Sequence, residues 1–154
     1  SHSKDLGLAG ERIGYIAVHP DVFESGELRQ ALVLCTRILG FVNAPAMMQK
    51  ILPLLGNARV DISVYEKSRD KIFSMISELG FEAIKPQVAF YIFPKSPDPD
   101  DVAFVKRAQQ ENILLVPGVG FGGPGHFRIS LCCTAETIEN SRPGFKRLAE
   151  YYGL

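Results

Sequence analysis

The stretch Ser1-His2-Ser3-Lys4, followed by Gly10-Glu11-Arg12-Ile13-Gly14, decides how the rest of this chain is interpreted. A lone lysine carries little information, because an amine with a pKa of about 10.4 is almost entirely protonated at neutral pH. Here the lysine follows two serine hydroxyls and precedes an arginine, whose planar guanidinium can hold two oxygens of one anion. The intervening glycines permit the tight turns that bring such groups together. The stretch therefore combines one amine with several hydrogen-bond donors.

These residues resemble the lysine segment of pyridoxal-phosphate (PLP) aminotransferases, class I/II, of the aspartate aminotransferase-like superfamily with fold type I. In that family a serine, an apolar residue, a small residue and the lysine precede a Gly-x-Arg-aliphatic-Gly motif. His2 departs from the usual aliphatic or aromatic residue. The resemblance implies that Lys4 is the catalytic residue and carries PLP, with Ser1, Ser3 and Arg12 as further cofactor-binding residues. The matching positions are Ser1, Ser3, Lys4, Gly10, Arg12, Ile13 and Gly14.

A glycine-rich loop and the strand after it carry a second motif, in which residues 117–122 read PGVGFG and residues 127–130 read FRIS. Strand alternation places Arg128 on the face opposite Phe127 and Ile129. From the pattern alone, Arg128 either reaches water or pairs with an acid at a strand edge, or it binds an anion. The same family carries P-G-x-x-F-G before an F-R-[IL]-S-like strand. The resemblance implies that Arg128 binds the α-carboxylate of the substrate.

Other features of this region are assigned no role. The loop lacks Gly-Lys-[Ser/Thr] and precedes a strand, which argues against a nucleotide-binding loop. Residues 89–93 resemble the family's Gly-[Ala/Thr]-Phe-Tyr-x-Phe strand, although Val88 stands where glycine is usual. Tyr91 and Phe93 are interpreted as core aromatics. His126 lies near the carboxylate-binding position, but packing of the loop explains it equally well.

The apolar spacing predicts helices that alternate with short strands, an α/β fold in which a small sheet is packed by helices. One amphipathic helix is expected to bury Val64, Ile72, Met75, Ile76 and Leu79 and to end at Gly80. Another is expected to begin with Asp98 as N-cap and Pro99 at the first position. The last helix is capped by Thr134 and interrupted near Pro143. The predicted strands are 12–18, 89–93, 113–116 and 127–132, and the predicted helices are 27–39, 47–55, 64–79, 98–111 and 134–152.

The resemblance implies that the chain is the C-terminal part of an enzyme more than twice as long. Residues 1–43 then form the end of the large PLP-binding domain, and residues 44–154 form the small C-terminal domain. The remaining cofactor contacts are expected upstream, so the chain alone is expected to be inactive. Residues 12–18, which read as an interior strand, would lack their sheet neighbours and be mobile, rearranged or paired with another chain.

Composition excludes several classes of function. Seventeen basic and seventeen acidic side chains cancel, which argues against binding to nucleic acid or to an anionic membrane surface. The apolar stretches are too short to span a bilayer, and no targeting leader is recognisable, so a cytoplasmic location is expected. Three cysteines without a C-x-x-C pair are expected to be buried thiols, and no metal site is expected.

The function implied by the resemblance is transfer of an amino group between an amino acid and a 2-oxo acid. The intact enzyme is expected to be a homodimer. Lyases, decarboxylases and synthases share this scaffold and its lysine and arginine, so they remain alternatives. A further alternative, for the chain alone, is a non-catalytic folding or assembly domain. The identity of the amino acid is left open.

Overall fold

Six helices and three strands form the regular structure of the chain, and the computed structural model describes all of residues 1–154. Two 3₁₀ turns, Leu52–Leu55 and Gly118–Phe121, supplement them. The predicted α/β class is confirmed, because a small antiparallel sheet is packed by helices. No helix has the length and apolar character needed to cross a membrane. The elements are α1 (His2–Asp5), α2 (Ser25–Ile38), α3 (Ala46–Ile51), α4 (Ile62–Glu78), β1 (Tyr91–Ile92), α5 (Asp101–Gln110), β2 (Val116–Pro117), β3 (Phe127–Ser130) and α6 (Ala135–Tyr152).

The residues divide into two compact units, Ser1–Val60 and Asp61–Leu154, called unit 1 and unit 2 below. The predicted boundary between residues 43 and 44 concerns the two domains of a longer enzyme, and it stays a prediction. Seventeen of the nineteen buried apolar residues lie in unit 2, where they form one core. Unit 1 contributes only Ile13 and Met48 to the buried apolar set.

The sheet of unit 2 has the order β1-β3-β2 with both pairings antiparallel. Its buried face joins a cluster of rings in which Phe81 meets Phe104, Phe127 and Phe145 edge to face. Edge-to-face pairs of this kind favour one packing arrangement beyond the area that they bury. The strands are shorter than predicted, because regular pairing is confined to the residues beside β3.

Helix α4 buries most of the predicted apolar face, with Ile72, Met75 and Ile76 inside the core. Val64 is an exception, since it lies in the first turn and is exposed. Gly80 follows the helix with a φ of 87°, the left-handed conformation expected at that position. The helix therefore agrees with the prediction except in its first turn.

Two predictions about the later helices are wrong. Asp100, not Asp98, caps α5, because its carboxylate accepts the N–H groups of Val102 and Ala103 at 3.0 Å. Helix α6 is also continuous through Pro143. Gly144, the next residue, packs so closely that a Cβ there would lie 2.9 Å from the carbonyl oxygen of Glu111. The proline alone does not end the helix, and the next residue makes this close tertiary contact.

The predicted strand 12–18 is not formed, and most of its residues are exposed. A strand needs a neighbour for its backbone groups, and no pairing is present here. Helix α2, which corresponds to the predicted helix 27–39, has no buried residue. Many of the large apolar side chains of unit 1 are therefore exposed.

Candidate functional site

The first candidate site is the lysine segment in unit 1, where Ser1 caps the short helix α1. The Ser1 Oγ accepts the N–H of Ser3 at 3.3 Å, and the Ser1 hydroxyl donates to the Ser3 Oγ at 2.9 Å. Lys4 lies in the same turn with an exposed side chain. One helical turn therefore brings the two hydroxyls and the amine into a single local structure.

The segment after residue 12 holds this turn in place. The N–H of His2 donates to the carbonyl of Ile13 at 3.2 Å, and Ile13 is one of the buried residues of unit 1. Gly14 lies so close that a Cβ built on it would be 2.9 Å from the Cα of Ser1. Only glycine fits at this approach, because the atom that it faces is backbone. The lysine turn is thus packed against the segment that follows the arginine.

Arg12 adopts a left-handed backbone conformation with a φ of 52°. Its guanidinium donates to the carbonyl of Ala9 at 3.0 Å, and it makes no ion pair. A guanidinium whose charge is not neutralised by a carboxylate keeps its remaining N–H groups for another anion. By their chemistry, two hydroxyls and a guanidinium suit a phosphate, and an amine suits the aldehyde of PLP. The assignment of Ser1, Ser3, Lys4 and Arg12 to the cofactor stays a prediction.

Arg128 is the candidate site of unit 2. Phe127 and Ile129 are buried on the opposite face of β3, as the alternation predicts, while Arg128 is half-buried. Its guanidinium carbon lies 4.3 Å from the centre of the Tyr91 ring and 4.0 Å from that of Phe121. It makes no ion pair. Pairing with an acid, one of the alternatives, is therefore not what holds Arg128, and its role in carboxylate binding stays a prediction.

The glycine turn beside Arg128 is fixed by contacts on both of its sides. The buried carboxylate of Asp101 accepts the N–H of Val119 at 2.8 Å, and the N–H of Gly118 donates to the carbonyl of His126 at 2.8 Å. Phe93 packs under the turn and stacks on His126, with the ring centres 5.3 Å apart. These contacts show His126 as part of the loop packing.

Sequence reasoning missed Tyr91, Phe121 and Asp101 as neighbours of the candidate site. The sequence predicts Tyr91 as a core aromatic, whereas it is only partly buried, and it identifies Phe121 only as part of a motif. The alternation of residues along β1 and β3 is visible in the sequence. The register in which these two strands pair depends on tertiary contacts, however, and cannot be read from one sequence. A buried aspartate at the start of a helix has no pattern that distinguishes it from an ordinary capping residue.

The cysteines differ from the expectation of buried thiols. Cys35 and Cys132 are exposed, and only Cys133 is partly buried. Burial raises the pKa of the Cys133 thiol above its ordinary value. A thiol of this kind is less reactive, because the thiolate is the nucleophilic form.

Comparisons with known proteins agree on one family. The family model for aminotransferase class I and II matches residues 1–142. Aspartate aminotransferase of Bacillus subtilis is 32% identical over 158 residues, which cover 96% of this chain and 39% of that protein. A (5-formylfuran-3-yl)methyl phosphate transaminase of Methanocaldococcus jannaschii is 26% identical, covering 97% of this chain and 40% of its own.

A solved structure gives the same result for the fold. An amino transferase from Eubacterium rectale superposes with a TM-score of 0.85 and 39% identity, covering 100% of this chain and 39% of that one. The chain therefore spans about two fifths of the length of the relatives that it matches.

Proposed function

Because the chain belongs to the aminotransferase class I and II family, we propose that the longer protein carrying it transfers an amino group between an amino acid and a 2-oxo acid. The family is PLP-dependent. When bound, PLP withdraws electrons from the substrate Cα and carries the amino group between substrates. The observation that carries the proposal is Arg128, a half-buried arginine that makes no ion pair, at the position where the family's motif has a carboxylate-binding arginine.

In this proposal the residues of unit 1 serve the cofactor. Lys4 would hold it through the Nζ amine, and once substrate has displaced that amine, Nζ would move the proton between the substrate Cα and the C4′ carbon of the cofactor. The hydroxyls of Ser1 and Ser3 and the guanidinium of Arg12 bind the phosphate. Each charge-assisted hydrogen bond from Arg12 contributes on the order of 1.5–3 kcal/mol.

Arg128 serves the substrate. Its planar guanidinium presents parallel N–H groups that match the two oxygens of a carboxylate, which fixes the orientation of the amino acid. All α-amino acids and 2-oxo acids share this carboxylate, so Arg128 recognises both reaction partners and leaves side-chain choice to other residues.

The test uses the full-length protein loaded with PLP and supplied with amino acids and a 2-oxo acid acceptor. Lys4→Ala is expected to abolish amino transfer, whereas Lys106→Ala, which removes an exposed lysine of α5, is expected to leave it unchanged. Arg128→Ala should lower kcat/KM by an amount that corresponds to a loss of roughly 2–5 kcal/mol of transition-state binding.

Two outcomes contradict the proposal. A loss of less than about tenfold in kcat/KM on Arg128→Ala removes the carboxylate role, because it corresponds to less than about 1.4 kcal/mol. Elimination or decarboxylation products in place of a new amino acid assign the protein to one of the related PLP reactions. We also propose that the full-length enzyme is a homodimer, as the resemblance implies. Light scattering on the purified protein measures its mass and tests this.

A second candidate applies to the 154-residue chain alone, as a non-catalytic folding or assembly domain. The exposed apolar side chains of unit 1 favour it, among them Tyr15, Phe23 and Ile38 at 74%, 85% and 74% exposure. Apolar surface of this kind marks regions that pack against other protein. Adding PLP to the chain and reducing with borohydride separates the alternatives. A cofactor trapped on Lys4 supports cofactor chemistry, and no trapped cofactor supports the assembly role.

A further inference from the structure

Two aromatic rings meet the guanidinium of Arg128, and both come from elements that the glycine turn and the sheet hold in place. We infer that Tyr91 and Phe121, called the aromatic clamp below, position the Arg128 guanidinium for the substrate carboxylate. They are positioning residues, since they act through Arg128. The inference rests on the proposed function of Arg128 and adds the means by which that arginine is oriented.

Tyr91 reaches Arg128 because of the strand register. Tyr91 pairs with Ser130, so Arg128 lies two residues along β3 on the same face of the sheet. Side chains in this diagonal relation are close enough for long residues to touch. The register is fixed on both sides, by the N–H of Leu131 donating to Phe90 at 2.9 Å and the N–H of Phe127 donating to Pro94 at 3.0 Å. The first ring of the clamp therefore has little freedom to shift along the strand.

Phe121 reaches Arg128 from the end of the 3₁₀ turn. The turn is tied to α5 by the hydrogen bond from Val119 to the buried Asp101 carboxylate, at 2.8 Å. Gly118 has no room for a side chain, since a Cβ there would lie 2.2 Å from the carbonyl oxygen of Gly123. The second ring is thus carried by a backbone with fixed contacts, although its own face is partly exposed.

Contacts with aromatic rings differ in kind from an ion pair. The negative face of a ring attracts a guanidinium but does not neutralise its charge, and it takes up none of the N–H groups that lie in the guanidinium plane. The clamp therefore restricts the rotamers of Arg128 before substrate arrives and leaves its donors available. Restriction before binding reduces the entropy lost on binding, in the ground state and the transition state alike. Losing a ring should raise KM and leave kcat nearly unchanged.

The kinetic test uses the full-length holoenzyme. Phe121→Leu is expected to raise KM for the amino acid roughly three- to tenfold, with kcat within about twofold of wild type. Phe121→Tyr and Tyr91→Phe retain the rings and should have a KM close to that of wild type. Tyr151→Leu is the matched control, because it removes another contact between a ring and a guanidinium, that of Arg107 at 4.6 Å, and should leave KM unchanged.

A second measurement detects the clamp without activity. In NMR spectra of the 154-residue chain, the side-chain protons of Arg128 are expected to be shifted upfield by the two rings and to lose part of that shift in Phe121→Leu, which keeps the Tyr91 ring. Unshifted Arg128 protons in the wild-type chain overturn the clamp. An unchanged KM in Phe121→Leu overturns its positioning role.

The carboxylate role of Arg128 and the aromatic clamp are tested by different outcomes. If Arg128→Ala loses less than about tenfold in kcat/KM, Arg128 does not bind the carboxylate, whatever the rings do. If Arg128→Ala loses more than about tenfold while Phe121→Leu matches wild type, the arginine keeps its role and only the clamp is wrong.

Discussion

Arg128 differs from every other arginine of unit 2 in how its charge is held. Each of the others pairs with a carboxylate: Arg69 with Asp70, Arg107 and Arg147 with Glu111, and Arg142 with Glu78. These pairs lower the pKa of the partner acids, to about 2 in the case of Asp70. Arg128 has aromatic contacts in place of an acid. Arg128 is thus the arginine of this unit whose charge is not paired with a carboxylate.

The glycine turn beside that arginine offers a test at single positions. A Cβ at Gly118 would lie 2.2 Å from the Gly123 carbonyl oxygen, whereas a Cβ at Gly120 meets nothing within 4 Å. We expect Gly118→Ala to lower the free energy of unfolding by roughly 1–3 kcal/mol, because backbone must move to admit the methyl group. Gly120→Ala should change it by less than about 1 kcal/mol, in the stabilising direction.

Urea denaturation followed by circular dichroism measures both variants. Equal midpoints for the two alanine substitutions would show that the turn is loose in solution and that the close approach of Gly118 is not maintained. In that case the support proposed for Phe121 would also be lost.

At the scale of elements, the start of α5 discriminates between two aspartates. Asp100 accepts two backbone N–H groups of the first turn, whereas the one backbone N–H that Asp98 accepts, from Asp100, lies outside the helix, and its carboxylate also interacts with the Tyr152 hydroxyl. We expect Asp100→Ala to cost about 1 kcal/mol of unfolding free energy, the usual effect of losing an N-cap. Asp98→Ala is expected to cost less than half of that. Thermal unfolding compares the two, and a larger loss for Asp98→Ala would support the capping residue that the sequence predicted.

Elements were predictable where local chemistry and burial agree. Phe127–Ser130 alternates between buried and exposed, so the strand and the outward side of Arg128 followed from period two alone. The end of α4 at Gly80 followed from backbone preference. Pro143 does not end α6, contrary to the prediction. The helix packs against the chain near Glu111, and this contact outweighs the free energy that a proline costs inside a helix.

The candidate site was predictable only in part, for a related reason. The matched motif identified Arg128 and Lys4, since those residues are recognised by their neighbours in sequence. Tyr91 and Phe121 are neighbours of Arg128 only in space, and their contact depends on strand register. Residues 12–18 failed as a strand because their backbone has no partner in this chain.

At the scale of the whole molecule, the two units differ in how their helices are stabilised. Helix α4 buries four residues, three of them in the core of unit 2, while α2 of unit 1 buries none. Helices of this length are marginal in water without tertiary packing. We therefore expect the amides of α2 to exchange with solvent through local opening, and those of α4 to require opening close to global unfolding.

Native-state hydrogen exchange tests this difference, with α4 as the control for α2 because the two have similar lengths, 17 and 14 residues. Protection in α2 should be lower by on the order of a hundredfold or more, since local opening costs far less than unfolding of the core. Equal protection would show that the exposed apolar side chains of α2 are covered in solution. Repeating the exchange after dilution then separates the sources of that cover, because a second copy of the chain dissociates and contacts within one chain do not.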